Sequence, residues 1–181
     1  MSELFSIQLQ NRQQQGRDGV WLDLPTTTEQ VQAALRQIGI SSDNPQGLFI
    51  SGYFAEEEKR FAIPYNMVLA SNVDELNFLA SRLETLSTGE CAELNAALQV
   101  PQSELSSIGR ITDFPENVDY YVHLPDVHGP AQLGDYYLNR SGMVDMPEEW
   151  KGGIDTAQFG RYVAQQEQGV FTEYGYLVKS G

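Results

Sequence analysis

The sequence predicts an α+β protein that consists of three small domains in series. The first section alternates apolar and polar residues around one helix, the middle section has apolar stripes at helical spacing, and the last section mixes both patterns. We therefore expect an N-terminal antiparallel β-sheet with one helix at residues 1–63, a central helical module at 64–110 and a C-terminal α+β domain at 111–181. Units of this size have thin hydrophobic cores.

Three segments of the first domain have the pattern of strands. "FSIQLQ" (5–10) and "GVWLDL" (19–24) alternate apolar and polar residues, and "GRDG" (16–19) between them has turn chemistry. "GLFISGYF" (47–54) predicts a third strand. Together they indicate a small antiparallel sheet.

The helix of the first domain is marked at both ends. Thr26 and Glu29 have the spacing of a capping box, an apolar stripe follows, and Gly39 ends the helix. The polar run at 56–60 then predicts the boundary with the central module.

The central module is predicted to contain two main helices. Asn72 with Glu75 and Ser87 with Glu90 have the spacing of N-terminal caps, and Pro101 stops the second helix. Leucines at helical spacing supply the apolar stripe of each helix, so we expect a compact helical unit.

The last domain combines strands and helices. "DFPENVDYYVHLP" (113–125) predicts a strand between prolines, and Pro130 begins a helix that Gly142 closes. Asp155 has the position of an N-cap for a further helix, and "VFTEYGYLV" (170–178) predicts a terminal hairpin.

The charge of the chain is strongly negative and uneven. Lys and Arg total 11 and Asp and Glu total 25, which gives a net charge of −14. Residues 83–160 alone hold 13 acids and 3 bases, a net charge of −10. Nucleic acids and anionic membranes attract clustered positive charge, so direct binding of either is disfavoured and a basic partner is favoured.

The acids of this middle section stand singly among aromatic and aliphatic residues, a pattern typical of a folded surface and not of a disordered acidic tail. We predict that these carboxylates face the basic partner. They are Glu84, Glu90, Glu93, Glu104, Asp113, Glu116, Asp119, Asp126, Asp135, Asp145, Glu148, Glu149 and Asp155.

Sequence signals for catalysis are weak, and no cofactor is expected. The chain has no phosphate-binding glycine loop, nucleophile elbow or H-E-x-x-H pattern. His123, Asp126 and His128 form one metal-like cluster without a fourth ligand, which keeps a metal-dependent hydrolase open as an alternative. Cys91 lies beside acids that raise a thiol pKa, so a structural role is favoured. We expect a binding protein and not an enzyme.

Location is indicated by cysteine usage and hydropathy. The chain has one cysteine, no apolar run near the roughly 18 residues of a membrane span, and no signal-peptide pattern. We therefore expect a cytoplasmic protein.

Four segments in order resemble the ArdA family of antirestriction proteins. Near the start are "FSIQLQNRQQQGRDGVWLDLP" (5–25) and "LFISGYFAEE" (48–57). The middle helix "DELNFLASRLETLS" (74–87) is similar to a helix of the family. The last segment, "LGDYYLNRSG" (133–142) followed by "IDTAQFGRYVAQQEQGVF" (154–171) and "GYL" (175–177), resembles the final motifs of the family. The ordered set covers nearly the whole chain.

Four residues depart from the family pattern. Gly52 stands where the family has an acid, Gly153 and Phe159 stand in place of tyrosines, and Tyr162 stands in place of an aspartate. Two acids are thus missing at motif positions, which bears on the strength of inhibition.

The resemblance implies a DNA mimic encoded by bacterial mobile elements. Such proteins are elongated dimers of three-domain chains, and they occupy the DNA-binding groove of type I restriction–modification enzymes. Two chains would carry −28, comparable with the phosphates over roughly 48 Å of B-DNA, about 14 base pairs. The sequence leaves open which enzymes are targets and whether restriction, modification or both are blocked. An acidic adaptor for another basic DNA-binding protein is the alternative.

Residues 132–144 form a neutral segment within the acidic section. On an α-helix, Leu133, Tyr136, Tyr137 and Arg140 fall on one face, while Leu138 lies away from it. That face is expected to pack on the sheet of its own domain, and a second interpretation is that this helix or its end is also a self-association surface. The resemblance places this segment near a dimer contact. The predicted dimer contacts are Leu133, Tyr136, Tyr137, Met143 and Val144.

Overall fold

The computed structural model describes residues 4–14, 18–41, 43–57, 61–101 and 103–180. Helices alternate with two three-stranded antiparallel sheets, which confirms the predicted α+β class. Part of the predicted "GRDG" turn (16–17) and part of the predicted boundary loop (58–60) lie outside the described residues. Within the described ranges, none of the helices is long and apolar enough to cross a membrane.

The chain forms two compact units. The first contains Met1–Ser87 and Glu104–Pro115, and the second contains Thr88–Ser103 and Glu116–Gly181. The first unit carries 13 acids and 7 bases, and the second carries 12 acids and 4 bases. The predicted division into three domains remains a prediction.

The first unit contains the N-terminal sheet, whose strand order is β2-β1-β3 with antiparallel pairing throughout. Its elements are β1 (Phe5–Asn11), β2 (Val20–Leu24), α1 (Thr28–Gln37), β3 (Leu48–Phe54), α2 (Tyr65–Leu69), α3 (Val73–Leu83) and a later short helix, α5 (Ile108–Thr112). Alternate residues of β1 and β2, including Ile7, Leu9 and Leu24, are fully buried, as the alternation predicts.

The cap of α1 differs from the prediction by one residue. Thr27, and not Thr26, caps the helix, because its Oγ1 accepts a hydrogen bond from the amide of Gln30 at 3.3 Å. The amide and carbonyl of Thr26 instead bond the side chain of Asn77 at 2.8 and 3.0 Å. The end of the helix is as predicted, since Gly39 follows it with a φ of +74°.

The cap predicted for α3 is confirmed, because Asn72 Oδ1 accepts from the amide of Glu75 at 2.9 Å. The helix α4 (Thr88–Gln99), which belongs to the second unit, begins at the residue after the predicted cap and ends two residues before Pro101. Its fully buried residues run from 94 to 97, so the predicted leucine stripe describes only part of its packing. The alanines within this run let the helix pack on more than one side.

The second unit contains the C-terminal sheet, whose strand order is β4-β6-β5. Beyond α4 its elements are β4 (Tyr121–Leu124), α6 (Pro130–Asp135), a π-helical turn (Tyr136–Arg140), α7 (Glu148–Lys151), α8 (Thr156–Glu167), β5 (Val170–Thr172) and β6 (Gly175–Lys179). The predicted hairpin is formed by β5 and β6, and Asp155 caps α8 as predicted. Two 3-10 turns precede β4, so that strand is shorter than predicted.

Candidate functional site

The predicted carboxylates between Glu84 and Asp155 are largely exposed to solvent. Eleven of the thirteen carboxylates of this acidic section are exposed, and only Glu90 and Glu93 are partly buried. Glu84, Glu104 and Asp113 lie in the first unit and the remaining ten lie in the second. The rule that charges stay in water where they have no buried partner explains this placement.

Local contacts hold some of these carboxylates in place. Glu148 lies 2.9 Å from the ammonium of Lys151. Asp135 accepts a hydrogen bond from Asn139 at 2.8 Å and lies 4.0 Å from the guanidinium of Arg140. The Asp135–Arg140 pair is about half exposed on both sides and is worth at most about 1 kcal/mol, so a stronger basic partner can replace it.

Glu93 differs from the other acids of the section. Its Oε2 atom is buried and has no hydrogen-bond partner in the described part of the chain. Burial first, and then the charges of Glu90 and Asp119, raise the pKa of Glu93 to about 7. A carboxyl group with this pKa carries less than a full negative charge at neutral pH, so Glu93 contributes less than predicted to the acidic surface.

The histidines of the metal-like cluster take part in local structure. The ring of His123 donates from Nε2 to the carbonyl of Tyr174 at 2.7 Å, which ties β4 to the turn between β5 and β6. The backbone amide of His128 donates to the side chain of Gln132 at 2.5 Å. The described residues hold no group of three or more His, Cys, Asp or Glu side chains that could bind a metal ion.

Cys91 is partly buried on α4. Burial and the adjacent Glu90 raise the pKa of its thiol, which disfavours the reactive thiolate. This environment agrees with the structural role predicted from the sequence.

The neutral segment packs on its own unit. Leu133 lies in a buried cluster with Ala164 and Tyr176, and Tyr136 and Tyr137 pack against that cluster. The first of the two predicted interpretations, packing on the sheet of the same domain, is therefore confirmed for this face. Leu133 has no exposed surface left, which removes it from the predicted dimer contacts.

The prediction that Leu138 lies away from the buried face is wrong. Leu138 is 2% exposed, because the helix widens into a π-helical turn after Asp135. The amide of Ser141 donates to the carbonyl of Tyr136 at 2.9 Å, five residues back. The wider turn brings residues five apart onto one side, so Leu133 and Leu138 both point inward.

Two glycines let α6 and α8 touch through their backbones. A Cβ atom at Gly134 would lie 1.9 Å from the carbonyl oxygen of Thr156, and one at Gly160 would lie 1.7 Å from that of Pro130. Each glycine sits in the last of the segments quoted above, within "LGDYY" and "FGRYV". Both glycines lie in motifs that were recognisable in the sequence. The sequence did not show that each glycine contacts the other helix of the pair.

Two tyrosine hydroxyls share one carboxylate as hydrogen-bond acceptor in the same unit, and we call this arrangement the polar bridge. Tyr137 donates its hydroxyl proton to Glu167 Oε1 at 2.5 Å, and Tyr176 donates to Oε2 of the same carboxylate at 2.7 Å. Burial, followed by the bond to Glu167, raises the pKa of both phenols. The hydroxyl of Tyr137 is therefore engaged within the chain.

Exposed apolar groups remain beside this packed face. Met143 is 75% exposed, and its amide donates to Ser141 Oγ at 3.1 Å, which fixes the chain after Gly142. Tyr136 lies half-buried under the guanidinium of Arg140, 5.4 Å from the ring centre. Further exposed apolar residues of this unit are Tyr120, Val122, Trp150 and Tyr162.

A side chain at position 52 would crowd the side chains of Trp21 and Gln8. A Cβ atom there would lie 3.0 Å from Trp21 Cη2 and 3.1 Å from Gln8. The indole of Trp21, and not a carboxylate, covers this part of the N-terminal sheet.

A family model described as antirestriction protein (ArdA) matches residues 15–178. No curated protein sequence matches the chain. The match spans most of the chain and includes the acidic section, and it begins after β1.

Proposed function

The chain belongs to the ArdA family of antirestriction proteins, and from that premise we propose that it is a dimeric DNA mimic that inhibits type I restriction–modification enzymes. The acidic surface binds the basic DNA groove of the enzyme and excludes DNA from it. The protein acts as an inhibitor in the cytoplasm and not as an enzyme. The observation that carries the proposal is the set of eleven exposed carboxylates between Glu84 and Asp155.

Electrostatics explains why such a surface competes with DNA. The groove of a DNA-binding enzyme presents Lys and Arg side chains at positions set by the phosphates. Carboxylates on folded elements meet these cations without the energetic cost of bending a duplex. They present no base edges, so inhibition extends to enzymes with different recognition sequences.

Competition for the groove tests this proposal. Fluorescence anisotropy of a labelled DNA duplex bound to a type I methyltransferase should fall as the protein is added, and the effect should weaken as salt rises. DNA that stays bound at low salt, with the protein in large excess, would refute the proposal for that enzyme.

A variant with three neutralised carboxylates shows whether the acidic section is responsible for the displacement of DNA. Asp126→Asn, Asp145→Asn and Glu149→Gln together remove three exposed charges of the section without changing side-chain shape. At up to about 1 kcal/mol per exposed pair, the triple variant should need about 3- to 100-fold more protein to displace DNA. The control variant replaces three exposed acids outside the acidic section, with the substitutions Asp18→Asn, Glu29→Gln and Asp43→Asn. Equal losses in both variants would show that only net charge matters.

The dimer in this proposal forms through the exposed part of the neutral segment. Met143, Val144 and Tyr136 supply exposed or half-exposed apolar surface there, whereas carboxylates at a two-fold axis would repel their own copies. Met143→Glu should shift the mass measured by light scattering toward that of the monomer. Tyr137→Glu is a poor test, because it also breaks the bond to Glu167. An unchanged mass for Met143→Glu, beside an unchanged control Met143→Leu, would place the contact elsewhere.

A further inference from the structure

The open face of the N-terminal sheet carries two large aromatic residues that the hydrophobic core does not use. Trp21 is 50% exposed and Phe54 is 56% exposed. With Ser6 they line a cleft of about 240 Å³. An adjoining cleft of about 250 Å³ shares Ser6 and Phe54 and adds the carboxylates of Asp23 and Glu56. We call these five residues the aromatic–acidic patch.

The sheet register builds the patch. Ser6 pairs with Asp23 on one side and with Phe54 on the other, so all three point to the same face. Gln8 pairs in the same way with Trp21 and Gly52. Because Gly52 has no side chain, the indole of Trp21 extends across the middle strand and approaches the backbone of β3.

The acidic part of the patch is held in a fixed position. Ser6 donates its hydroxyl proton to Asp23 Oδ1 at 2.5 Å, which orients that carboxylate beside the aromatic cleft. Asp23 and Glu56 are both exposed. Within the described residues, the charged groups that line the two clefts are both acids.

We infer that the aromatic–acidic patch is a docking site for an arginine side chain of the basic protein that the chain inhibits. This inference rests on the proposed function. The guanidinium plane stacks on the indole of Trp21, and the carboxylates of Asp23 and Glu56 balance its charge. Arginine suits this site better than lysine, because its guanidinium is planar, weakly hydrated and favours aromatic faces.

The charge of the patch argues against the other occupants. A second copy of the chain would bring Asp23 and Glu56 against the same acids. Nucleic acid would bring phosphates against them. An arginine-bearing protein is attracted by the carboxylates and held by the aromatic rings, a combination that DNA phosphates do not offer to the enzyme. The patch therefore adds selectivity to an acidic surface that charge alone would leave indiscriminate.

The experiment compares side chains of graded aromatic character at residue 21 in the DNA-displacement assay. Trp21→Leu keeps an apolar group and removes the π face, and it should raise the concentration needed for displacement about 5- to 30-fold. Trp21→Phe should fall between Trp21→Leu and the unchanged protein. Phe78→Leu, at a residue of the same unit that is 59% exposed and outside the patch, is the matched control and should displace DNA as the unchanged protein does.

The outcomes separate this inference from the proposed function. If the unchanged protein fails to displace DNA, the proposed function fails. If the unchanged protein displaces DNA and Trp21→Leu does so equally well, the docking site is refuted while the proposed function stands. A similar loss in Phe78→Leu would also refute it, because exposed aromatic surface in general would then be responsible.

A second measurement does not depend on replacing Trp21. Trp150→Phe leaves Trp21 as the only tryptophan of the chain. Hexa-arginine should then change the tryptophan emission at a severalfold lower concentration than hexa-lysine, since the two peptides carry the same charge. Equal responses to the two peptides would overturn the arginine preference.

Discussion

Glycine has different neighbours in the two units of the chain. In the first unit, a Cβ atom at Gly52 would meet the side chains of Trp21 and Gln8 at 3.0 to 3.1 Å. In the second unit, Cβ atoms at Gly134 and Gly160 would lie within 2 Å of backbone carbonyl oxygens of the facing helix. Side chains on an open face can turn away, whereas two packed helix backbones can only separate.

The difference shows how each unit is specified. The N-terminal sheet depends on the burial of alternate side chains such as Ile7 and Leu9, and its other face is free to carry a binding patch. The second unit depends on the close contact of α6 with α8 and on the bridge at Glu167. Small changes of shape should therefore cost more in the second unit than on the open face of the first.

Alanine at Gly160 gives the largest expected effect. Its Cβ would force α8 away from the carbonyl of Pro130, and we expect a loss of about 2 to 3 kcal/mol in the free energy of unfolding, measured by urea denaturation. Gly52→Ala should cost less than about 1 kcal/mol, because Trp21 and Gln8 can move.

Gly152→Ala is the control within the second unit, since a Cβ atom there meets nothing within 4 Å. If Gly160→Ala is no more destabilising than Gly52→Ala, the contrast between backbone and side-chain neighbours does not hold.

Loss of the carboxylate at Glu167 should have an intermediate effect on the second unit. Glu167→Ala leaves the phenols of Tyr137 and Tyr176 without their shared acceptor, and we expect a loss of about 1 to 2 kcal/mol in thermal or urea unfolding. Glu167→Gln keeps one acceptor oxygen and should cost less.

Tyr137→Phe and Tyr176→Phe should each recover part of the cost of Glu167→Ala when combined with it in a double-mutant cycle, because the pairs are then removed together. Strict additivity of these variants would show that the bridge contributes nothing to stability.

Local patterns made the N-terminal sheet and most helices predictable. The alternation of apolar and polar residues in 5–10 and 19–24 predicted two strands, and Asn72 and Asp155 were recognisable as helix caps. Contacts between distant segments were not predictable in this way. Leu138 lies inward because the helix widens after Asp135, and Thr27 caps α1 while the backbone of Thr26 bonds Asn77, 51 residues away.

The same limit applies to the candidate site. Acids spaced singly among apolar residues predicted an exposed surface, and eleven of thirteen carboxylates are exposed. The sequence did not show that Glu93 lies partly buried near Asp119, 26 residues further along the chain. Nor did it show that Gly52 makes room for Trp21, because that contact depends on the register of three strands.

Glu93 gives the smallest expected effect, and one that depends on pH. Its pKa of about 7 lies above the ordinary value of 4.5, so the folded chain keeps a proton that the unfolded chain releases between these values. The stability from this group is therefore fully present below pH 4.5 and is lost as pH rises through about 7. Glu93→Gln should match the unchanged protein near pH 4.5 and be more stable at pH 8.

The gain at pH 8 should stay below about 1 kcal/mol, because the side chain is partly exposed and water screens the charges of Glu90 and Asp119. Glu84→Gln, which removes an exposed acid of the first unit, is the control variant. Urea denaturation of the three proteins at both pH values measures the difference. A gain for Glu93→Gln that is the same at pH 4.5 and pH 8 would mean that the folded chain does not hold the proton, and that Glu93 is charged like its exposed neighbours.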